Sequence, residues 1–207
     1  MWRGKTCAIF GGGPSLTQAA IDQVRAHGVP AIAINNAYLL APWAQVHYFC
    51  DHRWHTWHCD RPEYKNFGGI KVTMCEQSGK KHGHLKWLRN MTAEGDGSGI
   101  WPEPDGLATG RNGGYQAINL AVHFGVKRII LLGYDMKRSP DGAFQWHAGH
   151  EVPNDPDRPC VYQTVMLPAY PNLVAPLAER GIEVINSTPC SALDVFPKME
   201  LAFALCA

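Results

Sequence analysis

A short apolar run, Thr6–Phe10, empties directly into Gly11-Gly12-Gly13-Pro14-Ser15-Leu16, and few folds put a strand, a glycine turn and a helix start in that order. Successive glycines let a backbone approach another group closely. Pro14 has no N–H and suits the approach to a helix, Ser15 is a good N-cap, and Gln18 completes an S-x-x-Q capping box. Free N–H groups and the positive end of a helix dipole attract anions, so the turn predicts a phosphate cradle and makes a nucleotide the first ligand to consider. An ordinary tight strand-to-helix turn has the same pattern, and glycines alone do not separate the two.

The rest of the chain places that turn in a fold. Strand-like runs at Thr6–Phe10, Ala31–Ile34, 45–50, 70–74, 129–132 and Glu183–Asn186 alternate with helix-like segments at 15–27, 113–124 and 171–180. Leu16, Ala19, Ala20 and Val24 recur at helical spacing before Gly28, as do Tyr115, Ile118, Ala121 and Val122 before Gly125. The alternation predicts an α/β, Rossmann-like, mostly parallel sheet with helices on both faces, in one domain over 1–207. Two aperiodic stretches interrupt it. Residues 77–107 read as an excursion outside the sheet, and 137–162, rich in Pro, Asp, Gly and His, as an irregular lid.

Composition narrows the partners. Nineteen basic against eighteen acidic side chains leave a net charge of +1, so no global field draws the chain to nucleic acid or an anionic membrane. Apolar residues make up 45% and charged ones 18%, ordinary for a globular chain. The seven cysteines are widely spaced with no C-x-x-C pair, which predicts reduced thiols in a cytoplasmic protein. The start of the chain has no signal-peptide pattern, and nowhere do 18 apolar residues run together, so no membrane span is expected. The apolar tail 201–206 is expected to cover an edge or the interface of a homo-oligomer.

In such sheets ligands sit beyond the carboxyl ends of the strands. The residues that follow the strands are therefore the candidates: Gly11, Gly12, Gly13 and Ser15; Asn35 and Asn36; Asp51 with His52 and Arg53; Asp135, Lys137 and Arg138; and Asn186, Ser187 and Thr188. Taken singly each is also an ordinary turn residue. Their joint placement on one rim points to a site.

Gly11-Gly12-Gly13-Pro14-Ser15-Leu16, Ile34-Asn35-Asn36-Ala37-Tyr38, Gly113-Gly114-Tyr115, Leu131-Leu132-Gly133-Tyr134-Asp135, the histidines His147 and His150, and Pro189-Cys190-Ser191-Ala192-Leu193 together follow an ordered pattern. It resembles that of a bacterial sialyltransferase family, roughly G-x-G-P-S-L, C-N-Q-x-Y, S-G-x-Y, L-x-G-x-D, a lid histidine and P-N-S-L-L. The same core looks like the domain of flagellin-modifying Maf proteins, of an archaeal hydroxymethylpterin diphosphokinase and of phage proteins of unassigned role. The resemblance spans most of the chain outside 77–107.

What the resemblance implies is an inverting, metal-independent glycosyltransferase that takes a nucleotide sugar as donor substrate and needs no cofactor. By position, Gly11, Gly13 and Ser15 would hold phosphate or ribose, Asn35 and Asp51 would contact the donor, and Asn112 and Gly113 would bind the nucleotide. Asp135 would orient the pocket or take a ribose hydroxyl, and His147 or His150 would be the general base for the acceptor hydroxyl. An imidazole suits that role because its ordinary pKa, about 6.5, lies close to working pH. The chain also departs from the pattern: Gly12 and Asp51 stand where the family has asparagines, Arg111-Asn112 where it has T-S, and Lys137 and Gly142 where it has two tyrosines. The cations Arg111, Lys137 and Arg138 suit a diphosphate better than a monoester, which favours a nucleoside-diphosphate sugar at least as much as a cytidine-monophosphate sugar.

His52, His55, His58 and Cys59 form a second cluster whose H-x-x-H-x-x-H spacing makes zinc conceivable, but a step of about 100° per residue spreads the rings around a helix. An acceptor-side wall of Trp54 and Trp57 with surface histidines is the preferred reading, with no metal. The basic stretch from Lys80 to Arg89, interleaved with Trp87, reads as a solvated loop or a contact to DNA, a modified base of phage DNA being one possible hydroxyl acceptor. Two other functions fit the same motifs: a nucleotide-dependent diphosphokinase of the hydroxymethylpterin type, and a non-catalytic phage module that binds nucleotide or serves as structure.

Overall fold

The centre of the sheet is set by two strands that are apolar past their first residue, β1 (Thr6–Phe10) and β8 (Arg128–Leu132), each buried on both faces. Strands of that kind belong inside a parallel sheet covered by helices on both sides. In the computed structural model, which describes residues 1–91, 98–147 and 161–206, they lie side by side with Ile9 opposite Leu131. Outward from β1 run β2 (Ala31–Ile34), β3 (Val46–Phe49), β4 (Ile70–Thr73) and β5 (Leu85–Trp87), and beyond β8 lies β9 (Glu183–Asn186). The order is β5-β4-β3-β2-β1-β8-β9, and every pairing is parallel. This is the expected Rossmann-like α/β arrangement, with strand order reversing between β1 and β8.

Alternate residues of each strand feed two cores. Cys7 and Ile9 join Ile129, Leu131 and the helices α5 (Gly113–His123) and α6 (Pro171–Glu179). Ala8 and Phe10 join Ile130, Leu132 and Ile21 and Val24 of α1 (Gln18–Ala26), with Ala204 of α7 (Leu201–Cys206). Helix α6 runs through Pro176 because Leu173 and Leu177, which flank it, are buried in the first core; burial there outweighs the lost backbone bond. The apolar tail thus covers its own sheet face through Ala204, while Phe203 stays exposed.

Two expectations are corrected here. One part of the expected excursion 77–107 joins the sheet: after α4 (Glu76–Lys81) the chain adds β5 to the sheet edge, with Lys71 opposite Leu85. The strand is three residues long and only Leu85 is buried, so no apolar period marked it. The short strands β6 (Arg89–Asn90) and β7 (Gly106–Leu107) then pair with each other. Two of the four cations of the basic stretch are paired locally, Lys80 with Glu76 and Arg89 with Asp105 at 2.6 Å. The capping box is likewise not formed: Thr17, not Ser15, caps α1, taking Ala20 N–H at 3.2 Å, and Gln18 bonds Asp22 and the Leu40 carbonyl. Among the described residues no helix is long and apolar enough to cross a membrane, and Cys7, Cys50, Cys59, Cys75, Cys190 and Cys206 are free thiols.

Candidate functional site at the switch point

The loops that leave β1 and β8 meet at the point where strand order reverses, and they meet very closely. A Cβ on Gly11 would lie 2.5 Å from the Gly133 carbonyl oxygen, and one on Gly13 would lie 2.0 Å from Asp135 Oδ2. Two of the three glycines are therefore there to admit the 133–135 segment. Gly12 is different. Its Cβ would meet only Gln145, at 3.9 Å.

The backbone donors of the turn are mostly spent on that approach. Gly11 N–H donates to Leu132 O and Gly13 N–H to Gly133 O, both at 2.8 Å, and Leu16 N–H to Gly13 O at 3.1 Å. Ser15 gives its N–H to Asp135 Oδ1 at 3.2 Å and its hydroxyl to Oδ2 at 2.9 Å. A protein carboxylate thus occupies the place by Ser15 where an anion was expected. Burial raises the Asp135 pKa and the two Ser15 bonds lower it in part, which leaves a carboxylate better suited to receive a hydroxyl than to face a phosphate. Among the described residues Gly12 has the one N–H of the turn without a partner.

The motif after β9 holds this segment in place. Ser191 Oγ donates to Tyr134 O at 2.6 Å, Ala192 N–H to Asp135 O at 2.8 Å, and Tyr134 N–H to Thr188 Oγ1 at 3.0 Å. Asn186 in turn takes Thr188 N–H and donates to Leu193 O. Behind Ser15, a cavity of about 650 Å³ opens between the first turn of α1 and these strand ends, lined by Ser15, Thr17, Gln23, Ser187, Thr188 and Lys198 among others.

The α5 N-terminus reaches the same rim beside Ile34 and Tyr134. Asn112 is its cap: Oδ1 accepts from Tyr115 N–H at 2.8 Å and from the Tyr170 hydroxyl at 2.9 Å, while Nδ2 donates to Gly110 O at 2.9 Å. That side chain has its two acceptor sites filled and only the second Nδ2–H left over for a nucleotide, while the N–H groups of Gly113 and Gly114 begin the helix at the rim. Asn112→Ala is expected to cost about 2–3 kcal/mol, a lost cap plus a stranded buried Tyr170 hydroxyl, read as a lower urea midpoint at unchanged slope. Arg111 is exposed with φ 57°, and its N–H bonds Thr109 Oγ1. Asp51 is an exposed cap of α2 (His52–His58), accepting Arg53 N–H at 2.8 Å. Lys137 is exposed, and the Arg138 guanidinium lies over Phe144 at 3.8 Å.

The 137–147 segment folds back over the turn. Trp146 N–H donates to Gly12 O at 3.2 Å, and the next residue, His147, bonds Asn36 through Nδ1 at 3.3 Å. Asn36 is buried at 4% exposure, and its Oδ1 accepts from Trp54 Nε1 at 2.6 Å. Its amide therefore joins the lid to the helix after β3. Asn35, at φ 47°, offers its carbonyl to His47 Nε2 at 3.0 Å. His150 lies outside the described residues.

The expected wall of surface histidines is corrected. Trp54, His55 and His58 are buried, in an aromatic cluster with Tyr38, His47, Phe49 and Tyr64. His55 stacks on Phe49 at 5.0 Å, and His58 stacks on Trp54 at 4.2 Å while its Nδ1 meets the Tyr38 hydroxyl at 2.9 Å. His52 instead bonds Ser78 Oγ. The rings diverge because successive positions rotate around α2, so His55 and His58 find different partners. Among the described residues no group of three or more His, Cys, Asp or Glu is placed to hold a metal. Burial pushes the His47 pKa down to about 3 and that of His55 to about 4. His47 gave a signal in the sequence only as a lone histidine inside an apolar strand run, and Tyr38 only as the last residue of the 34–38 motif. The chain matches no family model, no curated protein and no solved structure.

Proposed function

We propose that the chain is an inverting glycosyltransferase that takes a nucleotide sugar as donor and a hydroxyl group as acceptor, without a metal. The observation that carries this reading is the meeting of His147, Gly12 and Asn36 at the switch point of a parallel sheet, where nucleotides bind in folds of this kind. In the reaction a base takes the acceptor O–H proton. The acceptor oxygen attacks the anomeric carbon from the face opposite the phosphate, and the carbon–oxygen bond to phosphate breaks with its electron pair on the phosphate. Asp135, already engaged with two donors of Ser15, suits a ribose hydroxyl, and Gly12 N–H with the α5 N-terminus suits the phosphate.

The test is sugar release or transfer from CMP-, UDP- and GDP-sugars in the presence of chelator. Replacing both His147 and His150 by alanine is expected to lower turnover about 100-fold or more at unchanged melting temperature, the usual share of acid–base catalysis. Unchanged turnover in that double variant would remove the lid histidines from the mechanism. Magnesium-dependent release of AMP from ATP would favour a diphosphokinase, and the absence of any nucleotide-induced rise in melting temperature would favour a non-catalytic module.

A further inference from the structure

The polarity of one hydrogen-bond chain assigns the proton of His147. An indole N–H only donates, so Trp54 Nε1, 2.6 Å from Asn36, must face the amide oxygen. That turns the amide nitrogen of Asn36 toward His147, and an amide nitrogen also only donates. His147 Nδ1, 3.3 Å away, is therefore the acceptor and carries no proton. In the neutral ring the proton then resides on Nε2.

We infer that Asn36, fixed by Trp54, holds His147 as its Nε2–H form, and that His147 serves the site as an N–H donor to the leaving phosphate while the acceptor's proton passes to solvent water. The assignment of the phosphate rests on the glycosyltransferase reading; the tautomer does not. A base acting through Nε2 would need that atom bare and the proton on Nδ1, where it would point at the N–H₂ of Asn36. Nδ1 itself is taken up by Asn36. As the carbon–oxygen bond breaks, negative charge grows on the phosphate, and an N–H held in place beforehand stabilises it without a proton changing hands. Asn36 is on this account a positioning residue rather than a donor contact, which agrees with its burial and its two committed amide atoms.

Two measurements decide it. In protein labelled with nitrogen-15 in histidine, two-bond proton–nitrogen correlation spectra at pH 8 should show the His147 signals, identified by their loss in H147Q, with Nε2 protonated and Nδ1 bare. The reverse pattern overturns the inference, whatever the protein catalyses. In N36D a carboxylate accepts from both Trp54 and His147, so the proton should move to Nδ1; a His147 spectrum unchanged from the parent would break the link to Asn36. Should N36D not fold, the parent spectrum still decides the tautomer. The role is tested by turnover: H147A should fall about 100-fold, whereas H147Q, whose amide N–H stands near the position of Nε2–H, should recover to within about 10-fold of the parent. Equal loss in both variants would return His147 to the role of base. If no nucleotide sugar is turned over, the glycosyltransferase reading and the phosphate role fall together, and the spectrum still tests the Nε2–H form.

Discussion

A single methyl group at Gly13 is expected to unfold the rim of the sheet. The Cβ of Gly13→Ala would sit 2.0 Å from Asp135 Oδ2 and 2.6 Å from the Gly133 carbonyl oxygen, and neither neighbour is the loose end of a flexible side chain. Asp135 is held by Ser15, and Gly133 by the Gly13 N–H itself. Relief requires the β1 and β8 loops to part. The cost is at least about 3 kcal/mol, the upper part of the range for overpacking. For a domain of this size that lowers Tm by roughly 6–12 °C, measurable by calorimetry or near-ultraviolet circular dichroism. Gly12→Ala is the matched control, because its Cβ meets only Gln145 at 3.9 Å. It should stay within about 0.5 kcal/mol of the parent, as surface changes do. Equal stability of the two variants would show that the loops are not in close contact.

The second large effect is acid lability beginning well above the carboxylate range. His47 and His55 are buried neutral in the aromatic cluster, with pKa values held down to about 3 and about 4 by desolvation. In the unfolded chain both return to about 6.5. Between these limits the unfolded state binds more protons than the folded one, so stability is fully present above about pH 6.5 and is lost as pH falls. With both rings contributing, the slope near pH 5 reaches about 2.7 kcal/mol per pH unit. Asp135, its pKa raised by burial, acts against this by binding a proton in the folded state, but it is one group against two. Urea titrations at pH 8, 6.5, 5.5 and 4.5 measure the slope. In His55→Phe, which keeps the stack on Phe49, the slope should drop by about 1.4 kcal/mol per pH unit. A flat profile from pH 7.5 to 4.5 would mean that these imidazoles are hydrated.

The strands that could be read from the sequence were those whose burial is written locally. Thr6–Phe10, Ala31–Ile34 and Glu183–Asn186 stand in the structure with the expected ends, because a buried parallel strand needs only a short apolar run between turn residues. Strand β5 was missed for the opposite reason: Lys86 points to solvent, Trp87 is half-buried, and pairing with β4 rather than any period makes it a strand. At the site, the structure sets the glycine turn against Asp135 and sets Trp146 and His147 against Gly12 and Asn36. Their partners were not legible. Ser15 looked like a helix cap because Ser followed by Gln at the third position is a local signal, yet its donors go to Asp135, 120 residues away.

The sequence by itself determined the α/β class, the parallel sheet and the edge at which polar side chains collect, since each depends on runs and turns a few residues long. Tertiary structure alone decided that the turn's donors are consumed by the β8 loop, that two of three clustered histidines enter the core, and which ring nitrogen of His147 faces Asn36. The first and the last depend on contacts across 111 residues and more, where the directions of individual N–H and C=O groups, invisible in a string of residue types, select the partner, and the second depends on packing against Phe49, Trp54 and Tyr38.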